Sequence, residues 1–128
     1  MAESQFYARV AARAGVPETT ARALTEATLT TLAERISGGE ATDLSAHVAH
    51  ELRPLLVRAR AEDAQPFGYD EFLRRIAERA GATPADAERG ARAVLQALHR
   101  VVGPAEFDRA VAQLPREIGE LAQPAPRV

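Results

Sequence analysis

The chain has no cysteine, lysine, tryptophan or asparagine. Without cysteine there is no disulfide framework and no thiolate metal site, which leans towards a reducing, intracellular setting. Without lysine, all 16 basic residues are arginine, and Gly38-Gly39 lacks the lysine that completes a phosphate-binding loop. Long apolar runs are missing as well; nothing approaches the roughly 20 residues needed to cross a bilayer. The start, Met1-Ala2-Glu3-Ser4-Gln5, is acidic and polar and does not read as a signal peptide. A cytoplasmic protein with no membrane partner is expected. No segment alternates with β-branched residues, so no strand is expected. A net charge of -2 gives no global attraction to nucleic acid or anionic lipid.

What is present favours helix. Alanine supplies about a fifth of the 128 residues, well above its usual share, and Ala, Arg, Leu and Glu are all good helix formers. A constant shift of 66 lays one half of the chain over the other. Phe6 falls on Phe72, Arg9 on Arg75, Ala14-Gly15 on Ala80-Gly81, Leu29 on Leu95, Leu32 on Leu98, Glu40 on Glu106 and Leu55 on Leu121. That is about 14 identities in about 50 pairs, where this composition alone gives roughly five or six.

Each half reads as three helices. The first opens at a capping residue, Ser4 or Asp70, and stops at Gly15 or Gly81. The second runs near 18–36 and 84–102, and Thr83-Pro84-Ala85-Asp86 is a strong start signal that the first half lacks. Its inward face is Ala21, Thr25, Leu29, Leu32 and Ile36, against Ala87, Ala91, Leu95, Leu98 and Val102, a helical spacing. The third carries Leu44, Val48, Leu52 and Leu55, against Phe107, Val111, Leu114, Ile118 and Leu121. Pro115 breaks it in the second half; Ala49, at the same place in the first, makes a softer break, and Pro54 adds a bend or restart. Residues 57–69 link the halves, the early part prolonging a helix, with Phe67 and Tyr69 packing where the halves meet. Residues 123–128 read as a disordered tail.

The expectation is a single all-α domain over 1–128, a compact bundle of six to eight helices with pseudo-two-fold symmetry. It is built from two tandem three-helix repeats, about 4–62 and about 68–122. Its expected core is Phe6, Val10, Leu29, Leu32, Leu44, Val48, Phe72, Ile76, Leu95, Leu98, Phe107, Leu114 and Ile118.

These residues resemble a bacterial family known as domain of unknown function 2267. The resemblance rests on Phe6 to Gly15, with Val10-Ala11 inside; on Leu29 to Ile36; on Gly38 to Leu44; and on Gln113-Leu114-Pro115. The first half departs from the pattern, with His47-Val48-Ala49 where Gln-Leu-Pro is suggested. The resemblance implies a small, all-helical, bacterial cytoplasmic protein and supplies no activity or catalytic residues.

The chemistry-bearing residues are sparse. His47, His50 and Glu51 form the one polar cluster: His47 and Glu51, four apart, share a face if that stretch is helical, and could both reach a divalent metal. Two ligands are not a site, and a solvated polar face is the favoured reading. Ser4, Ser37 and Ser45 have no histidine at a spacing that proposes a triad. His99 is solitary. Arg53, Arg58 and Arg60 make one basic patch and Arg74, Arg75 and Arg79 another, and the helices around Gly81 can be read as a helix-turn-helix. As arginine is the only cation, solvated or salt-bridged faces are favoured over DNA contact. No cofactor, metal or catalytic residue is therefore expected. The leading function is a non-catalytic module that binds another protein or itself; a DNA-associated regulator comes second, and a metal-assisted enzyme using His47, His50 and Glu51 third.

Overall fold

Two glycines set the first corner of each half. Gly15 and Gly81 lie in the left-handed region, at φ +68° and +64°, where a side chain would crowd its own backbone, and each ends the helix before it. The computed structural model describes residues 3–57 and 64–123. Its eight α-helices among the described residues are α1 (Glu3–Ala14), α2 (Glu18–Arg35), α3 (Gly38–Ser45), α4 (Arg53–Leu56), α5 (Tyr69–Ala80), α6 (Pro84–Val102), α7 (Pro104–Val111) and α8 (Arg116–Glu120). A 3-10 turn at His50–Leu52 precedes α4. The described residues contain no strand, and no helix is long and apolar enough to cross a membrane. The fold is an all-helical bundle.

Helix boundaries recur 66 positions on: α5 repeats the span of α1, α7 that of α3, and α6 starts 66 after α2. The local causes differ between the halves. Thr83 caps α6 by accepting the Asp86 N–H at 3.2 Å, with Pro84 in the first turn, whereas Pro17 precedes α2 without a side-chain cap. Ser37 caps α3 by accepting the Glu40 N–H. Asp70 does not cap, and Ser4 falls within α1. α1 already begins at Glu3, and α5 starts from Gly68 with no side-chain cap, so Asp70 sits inside its first turn.

The third helix of each half is broken in two, as Pro115 predicts for the second half, whereas only a softer break is expected at Ala49. Pro115 starts α8 with φ -55° and ψ 148°. Ala49 holds nearly the same conformation, φ -56° and ψ 147°, so the first half breaks as sharply as the second. Proline is therefore not the cause of the turn; it suits a corner that alanine also makes.

α2 and α6 form the centre, packed against each other, and α1 and α5 each lie across both. α3 packs on α7, α4 on α2, and α8 on α5. The expected core residues are buried except Leu114, which is half-buried. Leu56 takes the buried place expected of Leu55. Each large apolar side chain removed from water here contributes about 1.5–3 kcal/mol. α2 is enclosed on most sides, and it buries Thr25, Thr28 and Thr31. Thr25 and Thr31 donate to the carbonyls of Ala21 and Ala27 at 2.7 Å, which satisfies hydroxyls that burial would otherwise penalise.

At the centre the backbones come close. A Cβ built on Gly90 of α6 would meet Leu24 Cδ2 of α2 at 2.6 Å. Phe67 is buried before α5, with the Arg75 guanidinium 4.0 Å from its ring centre. Arg58, Arg60, the helical start of the linker and residues 124–128 of the expected tail lie outside the described residues.

Candidate functional site

Glu40 and Glu106 each fall in the first turn of a short helix, α3 and α7, where a carboxylate meets the positive end of the helix dipole. Because α3 packs on α7, the two side chains converge. One carboxylate oxygen from each of Glu40, Asp43 and Glu106 lies within 4.8 Å of the other two. Glu40 is only 8% exposed, and its Oε2 and that of Glu106 have no hydrogen-bond partner. Burial, followed by the hydrogen bond and charge of Glu106 and the charge of Asp43, pushes the Glu40 carboxyl up to about 7, while Arg109 works against the rise. His47 reaches the edge, its Nε2 3.5 Å from Glu106 Oε1.

The sequence clusters His47 with His50 and Glu51 and puts His47 and Glu51 on one helical face, and the structure does not. α3 ends at Ser45, and the extended Ala49 separates His47 from the 3-10 turn that carries His50 and Glu51. His47, His50 and Glu51 are all exposed, and His47 turns towards α7. His99 stacks on Phe107, ring centres 4.5 Å apart.

On α5, the basic patch is faced by carboxylates. Arg74 pairs with Glu71 and Glu78 at 2.7 Å. Arg75 pairs with Glu71 at 2.8 Å and with Glu34 of α2 at 3.1 Å. Arg79 takes Glu34 at 2.7 Å and also donates to Thr31 Oγ1. Burial works to raise the Glu34 carboxyl, but Arg79 and Arg75 outweigh it and hold it below the usual range. Arg53 is exposed on α4.

A groove of about 490 Å³ opens between α5, α6 and α8, lined by Tyr69, Glu88, Arg92, Glu117, Glu120, Leu121 and Gln123. The Tyr69 hydroxyl donates to Glu88 Oε1 at 3.0 Å, fixing one wall.

Residues 3–121 match the model of a family described as "Uncharacterized conserved protein (DUF2267)". The chain belongs to that family. No curated protein matches the chain. One stretch that carried the resemblance to the family, Gln113-Leu114-Pro115, acts here as a joint. Gln113 Oε1 accepts the Ser37 N–H at 2.7 Å and its carbonyl accepts from Arg35 at 3.0 Å, tying the α7–α8 corner to the end of α2.

Sequence reading missed the Glu40–Asp43–Glu106 centre and the groove. The shared Glu40/Glu106 pair was visible only as one identity among many.

Proposed function

We propose that this protein is a non-catalytic binding module whose groove between α5, α6 and α8 takes a cationic segment of another protein. The observation that carries the reading is the lining of that groove. Tyr69 and Leu121 form an apolar floor, and Glu88, Glu117 and Glu120 outnumber the single Arg92 at its walls. An arginine or lysine stem can lie along such a floor with its charge at the carboxylates. A second copy of the chain is a poorer occupant, because Val57 is the only exposed large hydrophobic among the described residues.

The non-catalytic reading is supported by what the serines do. Ser37 Oγ accepts a backbone N–H and Ser45 Oγ donates to the Thr42 carbonyl, so each is engaged with local backbone and not with a histidine. The DNA reading gains nothing from α5, whose arginines face Glu34, Glu71 and Glu78. A cytoplasmic, bacterial setting and a duplicated origin belong to the same proposal. Leu24 against Gly90 and Glu40 against Glu106 are contacts between positions 66 apart, as expected where like elements meet around a two-fold axis.

The test is an amide-resonance titration with a short peptide of alternating arginine and leucine. Saturable shifts confined to Tyr69, Glu88, Glu117 and Leu121, lost in a Glu88→Ala/Glu117→Ala variant, are expected. An equal response to a peptide with glutamate in place of arginine would sink the reading, as would no localised shift.

A further inference from the structure

Glu40 and Glu106 present a physical problem that the rest of the chain leaves open. Carboxylates withdrawn from water and facing one another repel, and an unpaired buried charge costs several kcal/mol. Glu40 is more than nine-tenths buried and sends an unpartnered Oε2 into the cluster; Glu106 leaves its own Oε2 unpartnered as well. Among the described residues, the only basic group at ion-pair distance from any of the three carboxylates is His47, beside Glu106. Arg109 acts on Glu40 from beyond ion-pair distance, and an imidazole stands at the open edge of the cluster.

We propose that Glu40, Asp43 and Glu106 bind one divalent cation between α3 and α7, with His47, which touches Glu106 but stands outside the three-carboxylate cluster, swinging in as a fourth donor. Oxygens held by one ion at about 2.0–2.2 Å lie roughly 3–4 Å from each other. The three oxygens here are already within 4.8 Å, so small side-chain rotations complete the shell. The orphaned Oε2 atoms give the ion further acceptors without moving backbone. Three carboxylates suit magnesium, calcium or manganese, while the imidazole favours transition metals. Manganese(II) satisfies both, and zinc(II) is its main rival. Glu40 comes from α3 and Glu106 from α7, so the ion cross-links the two halves of the chain, a place distinct from the groove.

The experiment uses the full chain, stripped with chelator and titrated with MnCl2 by calorimetry and by loss of the free-ion paramagnetic resonance signal. One ion per chain is expected, with a rise in melting temperature that grows with ion concentration. Glu40→Gln keeps the shape and can donate a hydrogen bond to Glu106, so it should fold; its affinity should fall at least tenfold and its melting shift should vanish. His47→Ala should weaken binding several-fold, and Glu78→Gln, on the exposed face of α5, should leave it unchanged. Tighter binding of ZnCl2 than MnCl2, still lost in Glu40→Gln, keeps the site and reassigns the ion. No saturable binding of either ion below about 1 mM overturns the proposal and leaves a shared proton as what joins the carboxyls. Unaltered binding in Glu40→Gln overturns it equally.

Discussion

Leu24 rests on the bare backbone of Gly90, with three of its side-chain carbons 2.6–2.9 Å from where a Cβ at that glycine would stand. Leu24 is fully buried, so it has little room to yield. Alanine in mid-helix normally gains about 1 kcal/mol over glycine, but overpacking costs about 1–3 kcal/mol. Gly90→Ala should therefore destabilise the protein, by up to about 2 kcal/mol in urea melts. In a Leu24→Ala background the same change should become stabilising. Additive effects of the two substitutions would show that the contact is not what the glycine serves.

Ala49→Pro should be tolerated and should stabilise by about 0.4–1 kcal/mol, by narrowing the unfolded ensemble. The alanine already has a proline-like φ of -56°, nearly the angle of Pro115. A loss of more than about 1 kcal/mol in thermal melts would contradict this account of the corner.

Thr28→Val should raise stability by about 1 kcal/mol. The Thr28 hydroxyl is buried without a partner, and removing an orphaned polar group of nearly the same shape recovers its desolvation penalty. Position 94, which is 66 further on, is already a buried valine. A destabilised variant would mean that the hydroxyl has a partner, such as a buried water.

Glu40 gives a pH dependence with a definite sign. Its folded-state value of about 7 lies above the ordinary 4.5, so the folded protein keeps a proton that the unfolded chain releases. This contribution is complete below about pH 4.5 and is lost as pH rises to about 7. The full effect is on the order of 3 kcal/mol. Glu106, Asp43 and Arg109 face the group and are all part of that balance. Urea melts in chelator should show falling stability from pH 5 to pH 8, and Glu40→Gln should flatten the slope. An unchanged slope in that variant would assign the dependence to another group.

Architecture was far more legible than the site. Helix periodicity, Gly15, Gly81 and the Thr83-Pro84 start are local signals, and local geometry answers to them. Ala49 escaped because its conformation is imposed by packing and not by its own chemistry. The cap expected at Asp70 failed for a related reason, since a polar residue suited to a cap also sits comfortably within a first turn. Glu40 and Glu106 are far apart in the chain, and only the packing of α3 on α7 makes them neighbours. His47 looked like the partner of Glu51 by spacing, yet a bend four residues long sends it to Glu106 instead.

The carboxylate of Glu34, gripped by Arg75 and Arg79 between α2 and α5, has a counterpart of opposite sign. Position 100 on α6 is arginine, and the residues of α1 that correspond to Arg75 and Arg79 are Arg9 and Arg13. There Arg13 holds only the neutral Gln96, at 2.7 Å. One seam between the halves is latched by opposite charges, and the other sets Arg13 and Arg100 around one hollow. The molecule therefore has a direction of opening: under heat or denaturant α1 should part from α6 before α5 parts from α2, and amide exchange should be faster along α1 than along α5.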